Sequence, residues 1–226
     1  MPALRLPDKA KPASPLVIES RFPKPEELVV LNKRLLDTTI FVGKALEDCP
    51  NKWAISGDVA EVISGVNVEP DRVTILTNKE GCVEISGRLA KYSIAPAAIV
   101  ERRLEREASI GLNSYPVLIK SYMARFNIEG SGLDVYGDLQ IKVGEWDWGD
   151  PVDYEPDYVY VVGVKVPVVP LQLKSEIYGG LGWRDRTTKI HEAVVRSRHK
   201  FGKTRWQRFS NSDQRQNELS RKIMVA

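Results

Sequence analysis

The stretch that decides the fold is WAISGDVAEVISGVNVEPDRVTILT, residues 53–77. Its first half, WAISGDVAEVISG (53–65), predicts a short strand that turns directly into a short helix. Its last residues, VTILT (73–77), are mostly β-branched and predict a second strand. Strand, helix and strand at this short spacing indicate α and β structure mixed around one small sheet.

Helical and extended patterns continue on both sides of this stretch. Upstream, apolar residues recur at helical spacing from Glu26 to about Asp48, and Pro50 ends the predicted helix. Further helices are predicted over 96–109, 171–180 and 184–198. Further strands are predicted over 82–86, 125–143, which reads as a hairpin or two strands with a bulge, and 159–170. The expected fold class is therefore α/β (α+β), a small mixed sheet flanked by helices.

The composition suits a folded domain with appended tails. Of the 226 residues, 42% are hydrophobic and 28% charged, which is enough to build a core. No apolar run approaches the roughly 18–20 residues that cross a bilayer, so an integral membrane protein is excluded and no membrane partner is expected. The first residues lack the hydrophobic segment of a secretory signal. Cys49 and Cys82 have no metal-ligand or redox spacing, and they suit a reducing, cytoplasmic location.

Charge is distributed unevenly along the chain. Residues 196–226 carry nine Lys or Arg against two acids, and the proline-rich residues 1–25 carry five bases against two acids. Because the whole chain has a formal net charge of only +3, residues 26–195 carry a net negative charge. We therefore expect an extended Pro/Lys-rich arm at 1–25, a globular domain at 26–195 and a basic tail at 196–226.

The tail has the composition of an RNA-binding segment. It has almost no aliphatic residue before Leu219, so it lacks the apolar surface to fold alone. Guanidinium groups contact phosphates and aromatic rings stack on exposed bases, so structured RNA is the expected partner, for example in a ribosome or a similar ribonucleoprotein. The residues expected to contact RNA are Arg196, Arg198, Lys200, Phe201, Lys203, Arg205, Trp206, Arg208, Phe209, Arg215, Arg221 and Lys222. In the alternative, the aromatic residues of the tail pack back onto the acidic domain.

Several motifs, taken in order, resemble the minimal nucleotidyltransferases of the polymerase-β-like superfamily. The matching residues are Trp53-Ala54, Gly57, Gly65-Val66-Asn67, the strand 73–77, and VKVPVVPLQLKSEIYGGLGWRDRTTKI at 164–190. The resemblance covers roughly residues 50–190. It implies a nucleotidyltransferase-like sheet on which two Mg²⁺ ions would be held by carboxylates and a triphosphate by the glycine turn.

The positions that hold metal in this family are altered here. Arg72 and Thr74 stand where the family has its first two metal-binding Asp residues, and Asp134 matches the third. The three side chains have no net charge, where an active site would hold a charge of about −3 to attract Mg²⁺. We expect Arg72 to form an ion pair with Asp134, and we expect the carboxylate of the neighbouring Asp71 to point away from Arg72.

The glycine turn is altered as well. Gly57 is followed by Asp58, which we expect to cap the next helix by accepting from its backbone amides, so that a phosphate would find them occupied. Lys174 matches a cleft position and is expected to pair with a carboxylate. The resemblance therefore implies a degenerate nucleotidyltransferase without catalytic residues, metal or cofactor. The alternative is an active enzyme that uses Mg²⁺ and a nucleoside triphosphate.

The segment GEWDWGDPVDYEPDY (144–158) supports one further alternative. It contains six acidic residues, no basic residue and four aromatic rings, without the regular oxygen spacing of a calcium loop. It could dock a basic protein partner, as in a protein-interaction module such as a toxin–antitoxin partner. It could equally be a solvated hairpin tip whose tryptophans cover the edge of the sheet.

Overall fold

The stretch 53–77 lies at the centre of a mixed seven-stranded sheet. The computed structural model describes residues 31–104 and 116–201, with the side chains of 31–104 and 116–196. The strands are β1 (Trp53–Ser56), β2 (Arg72–Thr77), β3 (Ser93–Arg103), β4 (Val117–Ile128), β5 (Ser131–Val143), β6 (Asp157–Val161) and β7 (Val164–Val168). The helices are α1 (Lys33–Ala45), α2 (Gly57–Ile63), α3 (Lys79–Arg88), α4 (Leu171–Gly180) and α5 (Arg184–Phe201), with a short 3-10 turn at Ala90–Tyr92.

The strand order across the sheet is β3-β4-β5-β2-β1-β7-β6. Strand β2 pairs antiparallel with β1 and parallel with β5. Strand β1 pairs parallel with β7, and the two outer pairs are antiparallel hairpins. The predicted α+β class is therefore confirmed, and the strands of the 53–77 stretch lie between strands that come much later in the chain.

Two predicted elements are wrong. Residues 82–86 belong to α3 rather than to a strand, because Asn78 caps a helix by accepting from the Gly81 amide at 2.8 Å. Cys82 and Ile85 then share the buried face of that helix. Residues 96–103 belong to β3 rather than to a helix, and 105–109 lie outside the described residues.

The remaining predicted elements form in the described chain, with two differences in extent: β4 begins at Val117, well before residue 125, and the run 159–170 forms two antiparallel strands, β6 and β7. The hairpin over 125–143 forms from β4 and β5, with a register shift next to Tyr122 and a positive φ of 48° at Asp138. The first helix begins at Lys33, where Asn32 accepts from the Leu35 amide at 3.0 Å. None of the helices in the described ranges is long and apolar enough to cross a membrane.

The two faces of the sheet are covered differently. Helices α1 and α3 pack on one face, where a large core includes Val42, Ile75, Ile85 and Leu133. The other face carries a smaller cluster, in which strand residues pack against Tyr154 from the segment between β5 and β6. Beside this cluster, the strand side chains at the β2–β5–β4 junction stay partly open, and that is where the candidate site lies.

Candidate functional site

One row of residues crosses the sheet at the predicted metal position. The register places Ser56 of β1 opposite Thr74 of β2, Thr74 opposite Asp134 of β5, and Asp134 opposite Arg125 of β4. Arg72 lies two residues from Thr74 and therefore points to the same face. The structure thus brings together Arg72, Thr74 and Asp134, as the sequence predicted.

Asp134 is buried and holds two arginines. Its side chain is only 5% exposed; Oδ2 accepts from Arg72 Nη1 at 3.2 Å, and Oδ1 accepts from Arg125 Nε at 3.3 Å. The predicted ion pair between Arg72 and Asp134 is confirmed. Sequence reasoning missed Arg125, although a two-residue turn at Glu129-Gly130 would have placed it opposite Asp134 by counting back along the hairpin.

The expectation for Asp71 is wrong. Its Oδ2 accepts from both Nε and Nη2 of Arg72, at 3.0 and 2.9 Å. Asp71 precedes β2, so strand alternation does not govern its direction, and the long arginine side chain reaches back to it. The hydrogen bond to Asp71 and the pair with Asp134 raise the pKa of Arg72, which therefore stays cationic.

Gly57 and Thr74 fill the region of the glycine turn. Gly57 has a φ of +61°, in the left-handed region that favours glycine, and a Cβ atom there would lie 2.9 Å from Thr74 Oγ1. The Thr74 side chain therefore packs directly against the turn. The expected cap at Asp58 is wrong, because Ser56 occupies the N-cap position and Asp58 pairs with Arg186 at 3.2 Å.

A buried polar cluster lies behind the glycine turn. Glu61, with no exposed surface, accepts from Lys174 Nζ at 2.6 Å, Tyr178 Oη at 2.7 Å and Arg186 Nη1 at 3.1 Å. The predicted pairing of Lys174 with a carboxylate is confirmed, and Lys174 also donates to the Gly57 carbonyl. Burial lowers the pKa of Lys174, and the charge of Glu61 opposes this shift. Sequence reasoning missed Glu61; the only signal was an acid inside the apolar run VAEVI.

The donor set at the candidate site does not fit a pair of Mg²⁺ ions. Mg²⁺ requires several hard oxygen ligands in nearly octahedral geometry. Asp134 is the only anion at the three matched positions, and both of its oxygens already accept from guanidinium groups. Within the described ranges, no group of three or more His, Cys, Asp or Glu side chains is arranged to hold a metal.

The acidic segment 144–158 is partly anchored to the domain. Tyr154 is buried and donates to the Leu76 carbonyl at 2.6 Å, and Lys52 pairs with Asp153 at 2.6 Å. Trp146 remains 62% exposed at the other end of the segment. The amides of Gly149 and Val152 also donate to the carbonyls of Ile141 and Leu139, so the segment packs along β5 while it presents Trp146 and several acids to solvent.

The described part of the predicted RNA-binding tail is the end of α5. Arg196 is exposed and donates to the Gly65 carbonyl at 3.3 Å. The backbone of Arg198, Lys200 and Phe201 continues the helix. The other predicted contact residues, from Lys203 to Lys222, lie outside the described residues.

Comparison with known proteins gives a structural match but no sequence match. No family model and no curated protein matches this chain. A crystal structure from Thermotoga maritima, described as a candidate nucleotidyltransferase, is 22% identical with a TM-score of 0.55, and the match covers 74% of this chain and 96% of that one. The solution structure of the antibiotic-resistance factor ANT(2'')-Ia matches at 12% identity and a TM-score of 0.41, over 87% of this chain and 100% of that one. The Thermotoga match, together with the strand order and the position of the candidate site, shows that this chain has the nucleotidyltransferase fold.

Proposed function

We propose that this chain is a non-catalytic protein on the nucleotidyltransferase fold and that it binds structured RNA. The observation that carries the loss of catalysis is the pairing of Asp134 with Arg72 and Arg125. Each oxygen of this buried carboxylate already accepts from a guanidinium group, and two cations outweigh its single negative charge, so the position does not attract a further cation. Thr74, the other matched position, supplies a hydroxyl and no charge, and it packs against Gly57.

The proposal that the partner is RNA rests on the basic tail and on where it leaves the domain. Helix α5 begins next to the buried cluster of Glu61 and Arg186 and ends in the first bases of the tail. The tail is therefore attached to the domain through a packed helix, and its bases and aromatic rings match the chemistry of a single-stranded or looped RNA. A ribosome or similar ribonucleoprotein in the cytoplasm is the proposed setting.

Metal binding tests the loss of catalysis directly. Electron paramagnetic resonance of Mn²⁺ with ATP is measured on the native chain and on Arg72→Asp/Thr74→Asp, which restores the two family carboxylates. Lys33→Asp/Thr188→Asp is the matched control, because it makes the same charge change at exposed positions. We expect stoichiometric Mn²⁺ binding only in the restored variant. Stoichiometric Mn²⁺ in the native chain, with nucleotide transfer abolished by Asp134→Ala, would show an active nucleotidyltransferase instead.

Salt dependence tests the RNA contact of the tail. Replacing Arg205, Arg208, Arg215 and Arg221 with Gln removes four charges from the tail. The matched control replaces the exposed domain residues Lys33, Lys44, Lys91 and Lys189 with Gln. Each lost phosphate contact lowers the slope of log affinity against log salt by about 0.7, so the tail variant should lose about 2.8 from the slope and the control little. Equal slopes in the tail variant and the control would contradict RNA binding by the tail.

The exposed ring of Trp146 favours a second candidate function, the docking of a basic protein segment on 144–158. Co-purification from native lysate with and without RNase separates the two functions. A partner that survives RNase and is lost with Trp146→Ala supports protein docking. Partners that are lost on RNase treatment support the RNA proposal.

A further inference from the structure

Three arginines contact either Asp134 or the buried Tyr136 on the open face of the sheet. Arg72 comes from β2, Arg125 from β4 and Arg102 from the outer strand β3. Arg102 Nη2 donates to the hydroxyl of Tyr136, and its guanidinium carbon lies 5.6 Å from the centre of that ring. Tyr136 itself lies two residues from Asp134 on β5 and points to the same face.

The four charged groups act on the same small region. Burial raises the pKa of the Tyr136 hydroxyl; Asp134 adds to this shift, and the charges of Arg102, Arg72 and Arg125 oppose it. Arg102 contacts the Tyr136 hydroxyl, and Arg72 and Arg125 contact Asp134, two residues away on the same face of β5. Arg72 and Arg125 pair with the carboxylates of Asp134 and Asp71, and Arg102 has no carboxylate among its contacts in the described chain, so the cluster has a net positive charge.

The arginines are held in place and still have donors to offer. Asp134 fixes Arg125 through Nε alone, and in the described part of the chain both terminal nitrogens of Arg125 have no partner. Arg102 uses only Nη2 there. The side chains of Arg72 and Arg125 are 40% and 47% exposed, so their outer sides face solvent.

We propose that Arg72, Arg102 and Arg125 form a metal-free site for a phosphate group, and that its natural ligand is a phosphodiester of bound RNA. A planar guanidinium group can donate to two phosphate oxygens at once. Asp134 holds two of the three guanidinium groups in place in the absence of a ligand. The proposal rests on the proposed function, because it places RNA on the face where this fold would otherwise hold metal. A free nucleoside triphosphate offers the same phosphate chemistry, so the experiment includes it.

The test measures binding to the full chain in EDTA, so that no metal contributes. One probe is a fluorescein-labelled single-stranded oligouridylate, followed by anisotropy, and the other is ATP, followed by calorimetry. The variants are Arg125→Gln and Arg102→Gln. The matched control is Arg103→Gln, which removes the same charge one residue along the exposed outer strand, where the side chain points to the other face.

We expect each site variant to bind the oligonucleotide about tenfold more weakly than Arg103→Gln, the loss of one charge-assisted contact. A matching loss for ATP identifies free nucleotide as a ligand of the same site, and a loss confined to the oligonucleotide identifies the RNA backbone. Site variants that bind both probes as tightly as Arg103→Gln overturn the proposal. Arg102→Gln is included because Arg102 is exposed and does not pair with Asp134, so we do not expect this substitution to impair folding. Mn²⁺ binding by the native chain would refute the loss of catalysis separately, since this assay contains no free metal.

Discussion

Glu61 is the carboxylate on which the contact between α2, α4 and α5 depends. It has no exposed surface and accepts from Lys174, Tyr178 and Arg186. We predict that Glu61→Gln lowers the free energy of unfolding by about 3–5 kcal/mol, the cost of removing one partner from a buried ion pair. The amide keeps the shape of the side chain, so the loss comes from charge rather than from a cavity.

The magnitude follows from what each cation keeps after the substitution. Lys174 is 4% exposed and then keeps neutral acceptors, the Gly57 carbonyl and the new amide oxygen, so no carboxylate contacts its ammonium. Arg186 retains Asp58 at 3.2 Å and contributes less to the cost. The double variant Glu61→Leu/Lys174→Met lacks both charges of this buried pair. We therefore expect its free energy of unfolding to lie within about 1–2 kcal/mol of that of the native chain.

Urea denaturation followed by tryptophan fluorescence measures these free energies. Glu47→Gln is the control, because Glu47 is exposed and its neutralisation should change stability by less than about 0.5 kcal/mol. A loss of less than about 1 kcal/mol in Glu61→Gln would contradict a buried ion pair at this position. A double variant whose loss of unfolding free energy equals the sum of the losses in Glu61→Leu and Lys174→Met would contradict it equally, because an interacting pair must be non-additive.

Two further predictions concern pH and backbone conformation. Burial raises the pKa of the Cys82 thiol to about 11 from an ordinary value of 9.0, so its contribution to stability is fully present below pH 9 and is lost as the pH rises towards 11. In urea unfolding between pH 9 and 11, Cys82→Ala should make the fall of the unfolding free energy with pH shallower by up to about 1.4 kcal/mol per pH unit. The same fall with pH in the variant and the native chain would contradict this. Gly87→Ala in α3 should stabilise by about 0.5–1 kcal/mol, because its Cβ meets no atom within 4 Å. Gly57→Ala should destabilise by about 1–2 kcal/mol, because its φ is +61°. The midpoint temperatures of thermal unfolding of the two glycine variants should therefore shift in opposite directions.

The two wrong elements show where pattern reasoning reaches its limit. In 82–86, the buried positions Cys82 and Ile85 are three apart, a spacing that fits one face of a helix. In 96–103, the charged residues are compatible both with the exposed face of a helix and with a solvent-exposed outer strand. Pairing with β4 decides the matter for β3, and a single sequence carries no direct signal of that pairing.

Local residue types were sufficient for the centre of the fold and for half of the candidate site. The strand, helix and strand over 53–77 follow from the pattern of residues. The resemblance to the nucleotidyltransferases implies that Arg72 and Thr74 stand where carboxylates would otherwise be. The Arg72–Asp134 pair was predictable as well, because the resemblance places both residues on the same face of the sheet.

Tertiary structure decided which partners complete these groups. Glu61 meets Arg186 across 125 residues of chain, and Asp58 turns to the same arginine instead of capping its helix. Such contacts depend on how α2, α4 and α5 stack against one another. Local propensity acts only over a few neighbouring residues, so it cannot specify which distant charged residue pairs with a buried one.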